Sequence, residues 1–128
     1  MSEPKLNWKS SDYFNVADYE RITENLNEVS TVWGVSEEAY PAVTYETYLL
    51  KPLFLMIAGQ YNRLAAEING FSLIETENRK NWFTWRELNE IERISTMWET
   101  EPFLDSTGEP VHDSENQAVY CKKKREEV

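Results

Sequence analysis

The chain is poor in the residues that most chemical sites are built from. It has one cysteine, Cys121, so no intrachain disulfide can form. It has one histidine, His112, and its four glycines stand apart at positions 34, 59, 70 and 108, so there is no Gly-rich phosphate loop. Positive charge is also short: 13 Lys and Arg face 23 Asp and Glu, for a net charge of −10. That balance argues against a protein that tracks nucleic-acid phosphates or docks on an anionic membrane. Long apolar runs are missing too. The longest, Leu49 to Gly59, is broken by Lys51 and Pro52 and is too short to span a bilayer. The polar stretch Met1 to Trp8 does not read as a signal peptide. The expectation is a soluble chain in a reducing cytoplasm, with neither nucleic acid nor membrane among its partners.

What remains is an aromatic-rich chain of one-domain length. Its 128 residues are enough to bury a core without staples, and an apolar share of 41% is too high for disorder. Five Trp and seven Tyr supply large buried area, and their polar tips also suit interfaces.

Periodicity divides the chain into an extended arm over 1–13, a helical core over 14–100 and a loop-rich segment over 101–128. Trp8 and Tyr13 are placed to pin the arm to the body. Asn15 is a good N-cap, and Asp18 three residues on makes a capping box with Asp in place of Glu. Phe14 is placed for a staple with Tyr19. Tyr19, Ile22, Leu26, Val29 and Trp33 then recur at spacings of three and four, and Gly34 ends the helix. A second helix opens near Thr44 and runs to Asn69-Gly70, with a broad apolar face from Tyr45 to Ile68. Pro52 should kink it or stand in the first turn of a restart. Residues 70–81 read as loop, with room for an extended piece at Phe71 to Ile74. The third helix starts at Thr84, whose capping box with Glu87 is followed by Leu88, Ile91, Ile94 and Trp98 on one side. Residues 101–118 are rich in Pro, Gly, Asp and Ser and read as turns, and the end allows a short strand or a frayed tail. The fold class is mainly α: a small three-helix core, an N-terminal arm and a loop-rich C-terminal segment with room for a short β element.

Two helix starts are alike. Tyr13-Phe14-Asn15-Val16-Ala17-Asp18-Tyr19-Glu20-Arg21-Ile22 and Trp82-Phe83-Thr84-Trp85-Arg86-Glu87-Leu88-Asn89-Glu90-Ile91 share aromatic, Phe, cap, acid, apolar and Ile at an offset of 69 residues. Any capped, stapled amphipathic helix gives part of this pattern. The doubled aromatic before each cap is less routine, and an old duplication and a chance likeness both stay open.

With Asn7-Trp8 and Asn25-Leu26, the first of these blocks resembles small structural proteins encoded in tail or baseplate gene clusters of phages of Gram-positive bacteria. Those proteins often begin with a Trp, then Asp-Tyr-Phe-Asn, then a helix carrying Arg-Ile and Asn-Leu. They often carry a second copy, similar to Trp82-Phe83-Thr84 with Glu87-Leu88-Asn89-Glu90-Ile91-Glu92 here. The resemblance spans two short blocks, roughly a third of the chain. It implies a virion component (tail, baseplate or fibre attachment) that binds other virion proteins and has no catalytic residues.

A search for chemistry leads the same way. His112 sits among Asp105, Glu109, Asp113 and Glu115 at spacings that match no zinc or calcium frame. Cys121 has no His partner in sequence, and the Lys122 to Arg125 run reads as a solvated tail or a protein contact. No catalytic, cofactor or metal residue is assigned, so the expectation is not an enzyme. Trp33 and Trp98 fall at helical spacing and read as core. The interface candidates are Trp8, Tyr13, Phe14, Trp82, Phe83 and Trp85, in a virion protein that assembles as a homo-oligomer or within a symmetric particle. The alternative is a small acidic effector in the host cell that binds and inhibits a protein partner, losing affinity at high salt.

Overall fold

In the computed structural model of the chain, residues 2–44, 51–77, 79 and 81–125 are described. Among them are three helices and one two-stranded antiparallel sheet, so the protein is mainly α with a short β element.

The first helix, α1, spans Val16–Trp33. Its start is built as the sequence implies. Asn15 Oδ1 accepts from the Asp18 N–H at 3.0 Å, and Asp18 Oδ2 accepts from the Asn15 N–H at 3.0 Å. Two donors that the helix leaves unpaired are thereby satisfied. Gly34 closes the helix at φ 69°, the left-handed conformation that glycine adopts without strain. The third helix, α3, spans Trp85–Ile94 behind the same reciprocal device, here between Thr84 and Glu87. Between them lies α2, Lys51–Glu67, with Pro52 as the second residue of that span and no break afterwards. Thr44 itself is not helical, and the expected helical residues 45–50 lie outside the described residues.

Two differences from expectation have physical causes. Phe14 does not find Tyr19: its ring packs on Trp8 and Trp82, while Tyr19 meets Tyr40 edge-on at 6.3 Å. Residues 71–74 are loop, as expected, and Asn62 holds Ile74 through both its N–H and its C=O. Trp98 belongs to no helix. Ser95 Oγ and Thr96 Oγ1 turn back to the Glu92 and Arg93 carbonyls at 2.6 Å each, which ends α3 at Ile94.

The core is the three helices' shared interior. Tyr19, Ile22, Leu26 and Val29 of α1 meet Phe54, Ile57, Ala58, Tyr61 and Leu64 of α2, and Leu88, Ile91 and Ile94 of α3. Trp33 is buried, and its indole N–H donates to the Met97 carbonyl at 2.7 Å. Gln60 is sealed inside with its polar atoms paired. Its amide donates to Ser30 Oγ and Asn27 Oδ1, and its carbonyl accepts from Tyr40 at 2.5 Å. Burial raises the Tyr40 phenol above its usual range and holds it as a donor.

The N-terminal arm is a strap. Its main chain is gripped by side chains of α1 and α3. Asn25 donates to the Ser2 carbonyl, Glu92 accepts from the Lys5 N–H, and Asn89 both accepts from the Trp8 N–H and donates to the Trp8 carbonyl, at 2.7–3.1 Å. Glu92 is 1% exposed, yet it is compensated. Arg21 forks onto it at 2.7 and 3.0 Å, and the Trp8 indole N–H donates to it as well. Burial alone would lower the Arg21 pKa; the Glu92 and Asp18 carboxylates more than offset this and raise it.

Past α3 the chain forms a ribbon of β1, Trp98–Pro102, and β2, Tyr120–Lys124, in antiparallel register from Trp98↔Lys124 to Pro102↔Tyr120. The ribbon's foot lies on α1: Lys122 pairs with Glu28 at 3.6 Å, and Lys124 sits over the Trp33 ring. The segment 103–119, expected as loop and turns, is ordered by hydrogen bonding. Phe103 N–H donates to the Val119 carbonyl, Val119 N–H to Val111, and Val111 N–H to Phe103, at 2.8–2.9 Å, closing a ring. Three arms leave this ring: the ribbon at Pro102↔Tyr120, a hairpin at Leu104↔Pro110 and a hairpin at His112↔Ala118. The ring residues are eight apart because the sequence repeats, Asp105-Ser106-Thr107-Gly108-Glu109-Pro110-Val111 and then Asp113-Ser114-Glu115-Asn116-Gln117-Ala118-Val119. Each Asp carboxylate caps its own turn. Asp105 accepts from the N–H groups of Thr107 and Glu109, and Asp113 from those of Glu115 and Gln117. Gly108 and Asn116 take the left-handed position of each turn, at φ 84° and 63°.

Candidate functional site

The two similar helix starts come together in space. The capping boxes fix where each helix begins, and the aromatics just before each cap meet. Phe14 packs edge-on against Trp82 at 5.3 Å and stacks on Trp8 at 6.0 Å. Trp82 in turn meets Phe83 at 5.2 Å, and Phe83 lies 4.5 Å from Phe54 of α2. The result is a continuous aromatic chain from the strap to the central helix. Arg79 holds the entry to α3. Its guanidinium pairs with Glu87, donates to the Trp82 carbonyl at 3.1 Å and lies over the Phe54 ring. Burial raises the Glu87 pKa, but Arg79 and the Thr84 N–H lower it further, so the net shift is down.

A cleft of about 420 Å³ opens along this junction, and all six interface candidates line it. They do not play one role. Trp8 and Phe83 are buried at 2% and 7% exposure, so they form the floor and are not contact surfaces as they stand. This corrects the expectation for those two residues. Trp8 is drawn in because Glu92 and Asn89 satisfy its polar atoms, and Phe83 because it packs on Phe54. Phe14 and Trp82 are half-buried walls; the Trp82 indole N–H is buried without a partner among the described residues. Tyr13, 92% exposed, and Trp85, 37% exposed, stand at the rim. Lys9 and the carboxylate of Asp12 also line the cleft, and the Arg86 guanidinium lies 5.0 Å from the Trp85 ring. Neither cation makes an ion pair among the described residues.

The other residues weighed from sequence are scattered. His112 sits in a hairpin arm opposite Ala118, and the Cys121 thiol is 3.8 Å from Glu101. Asp105 has a lowered pKa because Thr107 and Glu109 donate to it, so its lone pairs serve the turn. Among the described residues, no group of three or more His, Cys, Asp or Glu is arranged to hold a metal ion. No helix there is long and apolar enough to cross a membrane. A second recess of about 660 Å³ runs beside α1, edged by Glu24, Glu28 and Glu37 with Lys122.

The sequence reading did not single out Arg21, Asn89 and Glu92, which hold the strap, or the octapeptide repeat. The repeat was visible as Asp-Ser with Val six residues after each Asp; the grip of Arg21, Asn89 and Glu92 was not, because their pairs join residues 71 to 87 positions apart.

Comparison with family models, with curated protein sequences and with solved structures gave no match. The cleft is therefore read from its own chemistry: an aromatic floor and walls, Tyr13 and Trp85 at the rim, and Lys9 and Asp12 in the lining.

Proposed function

We propose that the protein is a non-enzymatic structural component that binds other proteins through the aromatic cleft, as part of a phage tail, baseplate or fibre-attachment assembly. One observation carries this reading: residues from both helix starts converge on one cleft whose rim leaves Tyr13 and Trp85 exposed. Exposed Trp and Tyr above an apolar floor are the side chains that anchor protein interfaces. The phage setting rests on the resemblance of the blocks around Trp8 to Leu26 and Trp82 to Glu92. The partners in this reading are other virion proteins, in a symmetric assembly without nucleic acid or membrane contact. Purified particles should contain the protein by mass spectrometry, with cross-links mapping near Tyr13 and Trp85. Absence from particles would overturn it.

The α1 recess favours a second reading, an acidic effector that binds a basic protein of the host. Its mark would be affinity that falls steeply with salt and with Glu24→Lys, and is unmoved by Trp85→Ala.

A further inference from the structure

We infer that the β-knob of one copy, residues 103–119, docks in the aromatic cleft of a second copy, so that the chain associates head to tail. This rests on reading the cleft as a protein-docking site and names its occupant.

The knob lies in the longest stretch without a buried residue among the described residues. None of its residues is buried, and Phe103, Leu104 and adjoining Tyr120 are 51%, 52% and 59% exposed. Alternation along the three arms sets Leu104, Pro110 and Tyr120 on one face, and no residue sharing that face between 102 and 120 is an acid, Lys or Arg. A largely apolar, exposed β face of Pro102, Leu104, Pro110, Ala118 and Tyr120, with His112 as its one ionisable side chain, on a chain with net charge −10 is the feature that needs an occupant or a receptacle.

Charge selects the receptacle. The knob carries Asp105, Glu109, Asp113 and Glu115 with no Lys or Arg, a formal −4. Two of these carboxylates are used by their turns; Glu109 and Glu115 are left at the hairpin tips. The cleft's lining carries Lys9 and Asp12, and Asp12 is already paired with Lys5 at 3.2 Å, while Arg86 stands beside the rim residue Trp85; Lys9 and Arg86 make no ion pair among the described residues. A face flanked by acids thus meets an aromatic cleft where Lys9 and Arg86 are left over once Asp12 is paired with Lys5. The alternative seat, the α1 recess, is edged by Glu24, Glu28 and Glu37 and would repel the knob. Knob and cleft are different patches, so the contact is heterologous: it leaves a free knob at one end and a free cleft at the other, and it builds rings or open filaments.

The test is sedimentation velocity and native mass measurement of the full chain over a concentration series. The expected result is a ladder of multiples of 15.1 kDa, weakened by salt. Leu104→Ser with Tyr120→Ser should stop the ladder, as should Tyr13→Ser with Trp85→Ala. Mixing the two variants should restore one step only, a 1:1 dimer, because each supplies the half that the other lacks. Glu109→Lys with Glu115→Lys, on exposed turn tips where folding is not at stake, should weaken association roughly tenfold or more. A wild-type chain that stays monomeric throughout overturns the inference, as does a ladder that ignores the cleft variants or a mixture that stays monomeric. The proposed function fails separately, if the protein is absent from particles.

Discussion

Between Tyr19 and Met97, the apolar residues that face inward are sealed from water, several at 0% exposure; between Phe103 and Val119 no side chain is buried at all. Yet both regions are ordered. The helical body is held by area removed from water, with caps and paired polar groups fixing where each helix starts. The knob is held by a closed ring of backbone hydrogen bonds and by two Asp-capped turns. Each net hydrogen bond contributes only about 1 kcal/mol in water, whereas each large core side chain contributes about 1.5–3 kcal/mol. The body is therefore the stable scaffold. The knob is the part whose stability depends most on what it touches.

Mutations should separate the two. The largest effect should come from the core: Ile57→Ala, at 1% exposure, should cost about 2–5 kcal/mol and lower the melting temperature of the whole body. Next is Glu92→Ala, which leaves Arg21 and the Trp8 indole without their shared partner. It should cost about 3 kcal/mol and release the strap, read as faster amide exchange over residues 2–12. If amide exchange there does not change, the strap is held by packing alone.

Glu87→Gln should cost about 1 kcal/mol, because it weakens a capping box and the Arg79 pair. The pH dependence has a definite sign. The Glu87 pKa is held below its ordinary 4.5, so its stabilisation is present above that value and is lost as pH falls through the lowered one. Chemical denaturation across acid pH should show the wild-type chain losing this advantage over Glu87→Gln. The smallest global effect should come from Gly108→Ala. At φ 84° a Cβ costs about 1–2 kcal/mol, paid locally in one hairpin. Nuclear magnetic resonance should show shifts confined to 103–119 with the body's melting temperature unchanged; a drop in that temperature would mean that knob and body fold as one unit.

The two regions also differed in how legible they were. Asn15 with Asp18, and Thr84 with Glu87, announced the starts of α1 and α3 because capping chemistry is local. The six aromatics of the cleft were legible for the same reason, though their division into floor, wall and rim depended on partners such as Glu92, Asn89 and Phe54, far away in sequence. Trp98 misled because its spacing from Ile94 continues a helical stripe, while Ser95 and Thr96 end the helix with their hydroxyls. The knob read as loop because Pro, Gly, Asp and Ser dominate it. Its order lies in pairing between residues 103, 111 and 119, which no single turn reveals.

The central claim is that the paired helix starts form a docking cleft. Its most direct test is incorporation into particles of a chain carrying Tyr13→Ser and Trp85→Ala, whose circular dichroism and melting are first matched to wild type. The expected outcome is a folded protein that is left out of the particle. Incorporation at the wild-type level would contradict it.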